Sequence, residues 1–520
     1  MKEKPVSSSK KTEDLLSYLT LQAAISDLEN QNIFLTQENE TLKHNIGIMQ
    51  RALFGKKSEK LNLEDVEQLK LLFDEAETCA DTQPDLDFEK DEEEDEATTK
   101  PKKKPGRKPL PKDLPRKTII HDLPEEDKLC SCGCALSKIG EDKSEQLDYI
   151  PATLQVIEHV RLKYACKSCE DTIKRAPVPI KPLPKSNATA AFLAHVIVSK
   201  FADHLPLYRQ STMLKRSGID IGRATLSNWV LACGTSLAPL ILELQKDIVA
   251  SDYVASDETT VNVLDSDTDK SYMWVHMSGD RDRRAVVFDY HASRAGICAT
   301  NFLDGFKGAH QCDAYSGYNK LHKCEGVFCV ACWAHARRKF YDITKKVKTP
   351  GVAHRMVWLI KKLYKIEKEA RERELAPPEI AKLRQKKAKP ILAEIKKFLD
   401  EQKDKVPPKS PLGKAIAYSR NQWDDLNVYI TDGRLRIDNN DSERAIKPFV
   451  IGRKNWLFNS TTRGAKASAT LFGLIETCKA NNINPYEYLR YVLVAIKDAE
   501  TEEKVKQLLP YNIDIDNLNT

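Results

Sequence analysis

Residues 252–263 read DYVASDETTVNV, an apolar and β-branched run with Asp257 and Glu258 in its middle. Residues of this kind, over this length and bounded by polar turns, predict a strand. KSYMWVHMSG (270–279), RRAVVFDYH (283–291) and GAHQC (308–312) have the same character, and the last leads directly into Asp313. A mostly helical, very basic stretch then runs from Trp333 to about Asp425. It is followed by LRIDNNDSERAIKPFVIGRKNWLF (435–458), where Asp438 or Asn439 is placed to cap a helix carrying Glu443 before Pro448 disturbs it.

Antiparallel strands, an interruption and a helix bearing a last acid describe a ribonuclease-H-like domain with a helical insertion. Such a fold brings three carboxylates together around divalent metal. Phosphoryl transfer to water or to a DNA 3′ hydroxyl uses two cations roughly 4 Å apart. Hard oxygen ligands suit magnesium, or manganese in its place. In this reading Asp257 bridges the ions, Asp313 holds one and Glu443 completes the other. Lone acids are more often surface residues, and on spacing alone Glu258 and Asp252 compete with Asp257.

The remaining sequence bounds the setting. At 520 residues the chain is long enough for three or four units. Its net charge of +6 averages a strongly acidic stretch and a strongly basic one. No run of 18 apolar residues and no secretory signal is visible, so a soluble, cytoplasmic protein with no membrane partner is expected. Thirteen scattered cysteines suggest reduced thiols with a metal-binding subset.

Leu21, Leu28, Leu35, Leu42 and Met49 recur every seven residues within 14–50, with Asn32 and Asn39 at the intervening a positions. That is the seam of a parallel coiled-coil dimer, with a single amphipathic helix as the alternative. Residues 51–117 read as a disordered acidic linker and a basic arm. Nine of the twelve positions 85–96 are Asp or Glu, and 100–117 (KPKKKPGRKPLPKDLPRK) hold nine Lys or Arg. An extended basic arm suits the minor groove through Arg107 and Lys108, and a merely solvated linker is the bland alternative.

Cys130, Cys132 and Cys134, then Cys166 and Cys169, frame a zinc-finger-like module over 118–180, with strand-like alternation from Leu154 to Tyr164. Cys166 and Cys169 have knuckle spacing; with Cys130 and Cys132 they make a four-cysteine structural zinc site in which Cys134 could replace either neighbour. Residues 187–240 read as helices with a helix-turn-helix-like turn, placing Arg223 and Asn228 near a major groove. Arg444, Lys447, Arg453 and Lys454 stand near Glu443, where they could hold phosphates. The C-x-x-H pair Cys332 and His335 reads as a helix start that buries Trp333 and sets Arg337 and Arg338 beside the site or the DNA backbone. Helices over 465–510 close the catalytic domain, which spans 250–464 with its insertion at 333–425.

Several long motifs resemble one family in order: FGKKSE (54–59), IGEDKSEQLDYIPA (139–152), SKFADHLPLYRQ (199–210), SDETTV (256–261), CDAYSGYNKL (312–321), CWAHARRKF (332–340), DNNDSERAIKPFVIGRKNW (438–456) and LFGLIETCKANNINPYEYLRYVL (471–493). The chain resembles transposases of insertion sequence family 66 from about Phe54 to Leu493. The resemblance implies a DDE transposase whose acidic triad matches Asp257, Asp313 and Glu443, with the helical insertion in the 130-residue gap before Glu443. One departure is the C-x-C of the first finger cysteines where many relatives have C-x-x-C, which leaves Cys132 the safer match.

Together these features describe a multidomain α+β protein that binds double-stranded DNA at element ends and target, works as a dimer or higher oligomer, and cleaves and joins strands with divalent metal. The resemblance also implies a bacterial, nucleoid-associated setting and small accessory proteins of the same element. The competing expectations are a catalytically inactive, sequence-specific DNA-binding regulator and a plain structure-specific nuclease.

Overall fold

A computed structural model describes residues 154–165, 173–177, 179–184, 186–268, 270–279, 283–347 and 349–513. The zipper heptads, the linker and arm with Arg107 and Lys108, and the finger cysteines Cys130, Cys132, Cys166 and Cys169 lie outside the described residues. The described residues divide into two compact units between Pro179 and Ile180.

In the first unit β1 (Lys163–Ala165) pairs antiparallel with β2 (Ile173–Arg175). The Arg161 guanidinium donates to the Ala176 carbonyl at 2.9 and 2.5 Å, tying the ends of the ribbon. The alternation from Leu154 predicts a longer strand; among the described residues the pairing covers Lys163–Ala165 with Ile173–Arg175. Val156, Ile157, Val160 and Leu162 are accordingly exposed.

The second unit is built on a five-stranded mixed sheet of β3 (Tyr253–Val261), β4 (Ser271–Ser278), β5 (Val286–His291), β6 (Gly308–Cys312) and β7 (Val327–Ala331), in the order β5-β4-β3-β6-β7. The first three form an antiparallel meander, while β6 runs parallel to β3 and β7 parallel to β6. Four of these strands are visible as β-branched and aromatic runs. The fifth, β7, is not anticipated, since VFCVA adjoins the helical CWAHARRKF without a turn signal. Gly308 opens β6 at φ +146°, where a Cβ would come within 2.2 Å of the Asp252 carbonyl oxygen. Only glycine fits there, and the close approach lets the Ala309 amide donate to Asp252 at 2.9 Å.

Two cores flank the sheet. The first joins α1 (Ala190–Phe201), α2 (Leu207–Arg216) and α3 (Arg223–Val249) to α11 (Asn440–Trp456), α12 (Thr462–Ala480), α13 (Pro485–Ala495) and α14 (Glu502–Gln507). Phe472 sits at its centre, edge-on to Phe201 at 5.0 Å and beside Phe288 and Phe449. The region 187–240, expected as a separate domain, therefore has no core of its own, because its apolar faces are completed by the C-terminal helices. By length and composition α3 could cross a membrane, but Leu226, Val230, Leu237, Leu240, Leu244 and Ile248 are spent on this core.

The second core belongs to the helical insertion, where α5 (Trp333–Thr344), α6 (Val352–Glu372), α7 (Pro377–Leu383), α8 (Lys389–Lys403), α9 (Pro411–Asn421) and α10 (Trp423–Asn427) follow β7; α4 (Ile297–Phe302), before β6, packs instead on the first core and a small cluster with Trp274 and Tyr318. Trp333, Phe340, Leu363, Ile395 and Tyr429 from α5 onward pack together and against Ala309, Val330 and Ala331 of the sheet. The buried Arg384 is satisfied on every side, by Glu367 at 2.9 and 2.7 Å and by the carbonyls of Tyr429, Asp432 and Leu435. Contrary to expectation, Pro448 does not disturb α11, which runs unbroken from Asn440 to Trp456. Packing of Ala445, Ile446, Phe449 and Val450 into the first core outweighs the single lost hydrogen bond.

Candidate active site

Strand parity separates the two acids of β3. Asp257 and Thr259 share the side on which α11 packs, where Arg453 of that helix donates to the Thr259 hydroxyl at 2.9 Å. Ser256 and Glu258 point the other way. The Glu258 carboxylate is fully engaged there: Oε1 accepts from Arg294 Nε at 2.8 Å and Nη2 at 2.5 Å, and Oε2 from the Tyr318 hydroxyl at 2.6 Å.

Asp313 follows β6 directly. Because the parallel register pairs Val254 with His310 and Ala255 with Gln311, two further residues along each chain bring Asp257 and Asp313 abreast. Asp313 Oδ1 accepts the Tyr315 amide at 2.9 Å, which sets the direction of the carboxylate. Glu443 enters from the first turn of α11. That helix start is fixed by Asn439, whose side-chain amide donates to the Ser256 carbonyl at 3.0 Å and whose backbone amide meets Cys332 Sγ at 3.3 Å. Of the two expected caps, Asn439 is turned into the sheet and makes no side-chain cap bond, whereas Asp438 accepts the Asn440 amide that opens α11 at 3.3 Å, together with the Tyr364 hydroxyl at 2.9 Å.

Burial disfavours charge on all three carboxyls, and neighbouring acids add to it at Asp257 and Glu443. Asp257 is raised well above its ordinary value, first by loss of solvent, then by Glu258, Glu443 and Asp313. Asp313 is raised by burial, against the lowering influence of the Tyr315 amide, Arg294 and Lys339. Glu443 is pushed up to about 8, again mainly by burial, with Asp438 and Asp313 adding and Arg338 and Arg444 opposing. Among the described residues, neither buried carboxylate oxygen of Glu443 has a hydrogen-bond partner. Buried acceptors left so are rare and ask for an explanation. Buried carboxyl oxygens without a hydrogen-bond donor are the kind of hard ligand a divalent cation takes.

The C-x-x-H pair, read from sequence as structural, also reaches this site. Trp333 is buried as expected, and Cys332 precedes α5 at the N-cap. His335 Nδ1, however, lies 3.8 Å from Glu443 Oε1, and potential ligand atoms of Cys332, His335 and Glu443 all fall within 4.8 Å of one another. Burial, with Arg338 and Lys339 nearby, takes His335 down to about 3, so the imidazole beside Glu443 is neutral.

The cations expected on DNA divide. Arg337 is corrected: it is 5% exposed and lies over the Tyr341 ring at 4.9 Å, because its position on α5 faces the insertion core. Arg338, one residue on, is half-buried and acts on Glu443. Arg453 binds Thr259 and the Thr260 carbonyl, so it fastens α11 to β3. Arg444 is exposed, 3.5 Å from Asp441, and Lys447 and Lys454 are half-buried on the same helix. Arg223 and Asn228 are exposed at the start of α3.

Arg294, Tyr318 and Asn439 are site residues that the sequence does not announce as such. The first two act through contacts distant in sequence; only Asn439, inside the acidic motif, carries a signal, and it suggests capping.

A five-stranded mixed sheet, buried acids at and beyond its strands and a helical insertion define an α/β catalytic-type unit. Residues 185–467 match the family described as "Transposase IS66 family". Residues 127–170 match "zinc-finger binding domain of transposase IS66", 41–119 match "Transposase C of IS166 homeodomain", and 473–511 match "IS66 C-terminal element". The chain is 34% identical over 404 residues to the uncharacterized protein y4jD of Sinorhizobium fredii, covering 75% of this chain and 78% of the relative. To the uncharacterized protein y4qI of the same organism it is 32% identical over 481 residues, covering 89% and 87%. The chain belongs to the IS66 transposase family.

Proposed function

We propose that the protein is a DDE-type DNA transposase that cleaves the ends of its insertion sequence and transfers the freed strands into target DNA. The observation that carries this reading is the buried Glu443 carboxylate, without a hydrogen-bond partner among the described residues, acting together with Asp313 on the charge of Asp257. An antiparallel meander followed by two parallel strands, with acids on the first strand, after the fourth and on a helix beyond a long insertion, supports a ribonuclease-H-like catalytic domain.

Asp257, Asp313 and Glu443 would hold magnesium or manganese. When bound, the ions lower the charge barrier between the attacking hydroxyl and the scissile phosphate. The chain supplies the rest. Asn439 keeps the Glu443 helix against β3, Arg453 fastens its far end, and the Glu258–Arg294–Tyr318 cluster holds the reverse side of the strand rigid. Arg338, Arg444, Lys447 and Lys454 provide positive charge along the phosphate path, and Arg223 and Asn228 offer a contact on the helical region. The zinc finger and the basic arm with Arg107 and Lys108 add binding to double-stranded DNA, and the heptads support a dimer or larger assembly. The setting is the bacterial cytoplasm at the nucleoid, with accessory proteins of the same element as further partners.

The test is a strand-resolved gel of purified protein with element-end DNA and magnesium. Nicking and joining by the native chain, absent in Asp257→Asn while binding persists, is the expected result. Binding without any metal-dependent nicking would favour the inactive regulator, and cleavage without joining a plain nuclease.

A further inference from the structure

On the opposite side of the sheet from the carboxylates lies a group of cysteine and histidine side chains that the activity does not use. His310 and Cys329 are direct partners in the β6–β7 register, and Cys312 is two residues on from His310, so strand parity puts all three on one face. His322 is delivered to them by the 3-10 segment Ser316–Lys323 that connects the strands. His322 Nε2 lies 2.9 Å from His310 Nδ1 and 4.0 Å from Cys312 Sγ. Cys329 stands beside this group as the register partner of His310, and its thiol is lowered to about 6 mainly by Cys312, with His322 adding. Potential ligand atoms of His310, Cys312 and His322 fall within 4.8 Å of one another.

We propose that His310, Cys312, His322 and Cys329 form a zinc site inside the catalytic unit, separate from the N-terminal finger. Two thiolates and two imidazoles are the donor set of a closed structural zinc site. Zn–S of about 2.3 Å and Zn–N of about 2.0 Å, arranged tetrahedrally, put donor atoms roughly 3.3–3.8 Å apart. From His322 Nε2, the 2.9 Å to His310 and 4.0 Å to Cys312 bracket that range, and Cys329 would close in as the fourth ligand. The outer nitrogen of His310 is already held: Nε2 lies 2.9 Å from Ser256 Oγ, which lies 2.8 Å from His276 Nδ1. With Nε2–H donating to Ser256 and the serine donating to His276, Nδ1 keeps its lone pair toward the cluster, the outer-shell arrangement a metal-bound histidine requires. Binding Zn²⁺ exchanges two thiol protons for the ion and releases them to solvent. Because Cys312 directly precedes Asp313, the ion would brace the strand end that presents that carboxylate.

Zinc content of the purified full-length chain, by mass spectrometry, tests this without reference to catalysis. The finger variant Cys166→Ser/Cys169→Ser is expected to retain one zinc per chain, and adding Cys312→Ser/Cys329→Ser to remove it. Cobalt loaded into the finger variant should give thiolate-to-cobalt charge-transfer absorption that the added substitutions abolish. His322→Ala, on a half-exposed segment, covers the case in which the buried cysteine variants fail to fold: with far-ultraviolet dichroism unchanged, it should also lose the retained zinc. A metal-free finger variant that is otherwise folded, or zinc content unaffected by His322→Ala and the cysteine substitutions, would overturn the proposal.

Discussion

Asp257 and Glu258 are consecutive carboxylates on one strand with opposite fates. Glu258 is buried among partners, with Arg294 and Tyr318 consuming its lone pairs, and it behaves as part of the scaffold. Among the described residues, Asp257 accepts a hydrogen bond only from the adjacent Glu258 amide, at 2.9 Å, and it faces two further acids. Burial of a charge is tolerated where it is paired, and where it is unpaired something outside the chain is needed to balance it. The difference between neighbours thus separates an acid held by partners from the one proposed to bind a cation.

The strongest way to break the comparison is to neutralise each side. Asp257→Asn, Asp313→Asn or Glu443→Gln should each reduce magnesium-dependent cleavage by on the order of 10³-fold, equivalent to about 4 kcal/mol in the barrier. The same changes should leave the metal-free protein as stable as the native chain or more so, because they relieve repulsion; urea unfolding measures this. Glu258→Ala should do the reverse. It strands the Tyr318 hydroxyl and frees Arg294, lowering stability by about 1–3 kcal/mol in the same unfolding experiment. Equal destabilisation by Asp257→Asn and Glu258→Ala would erase the distinction.

A subtler effect arises at Glu443. Its folded-state value is raised from 4.5 to about 8, so the folded protein holds a proton that the unfolded chain releases. This contribution to stability is fully present below pH 4.5 and is lost as pH rises through about 8. Melting temperature in magnesium-free buffer should fall across that window, and Glu443→Gln or added magnesium should flatten the decline. A native protein without such a slope would mean that Glu443 is solvated or already compensated. The smallest effect concerns DNA affinity. Arg223→Ala should weaken binding to element ends and reduce the slope of log affinity against log salt by about one, as read by fluorescence anisotropy. Arg337→Ala, being internal, should leave that slope unchanged.

Much of the site is legible in the sequence. The strand around Asp257, the strand ending at Asp313 and the helix of Glu443 each carry local signals in β-branching, turn residues and charge. The rest is hidden for identifiable reasons. The strand β7 lacks a boundary in the sequence because Ala331 runs straight into the helix start at Cys332. Pro448 reads as a breaker, yet the packing of Phe449 and Val450 holds the helix through it. Arg337 and Arg338 are chemically identical in the motif, and only their angular position on α5 assigns one to the core and the other to Glu443.

Residue type and periodicity by themselves determined that this chain carries a β-rich segment interrupted by a basic helical stretch, with acids at three positions able to serve metal chemistry. Only the tertiary structure decided which side of β3 each acid takes, that Glu258 is engaged by arginine and tyrosine, and that His310, Cys312 and His322 gather on the reverse face. The reason is that strand and helix propensities are local, whereas a carboxylate's role depends on whether distant parts of the chain bring it a proton donor, a positive charge or another carboxylate.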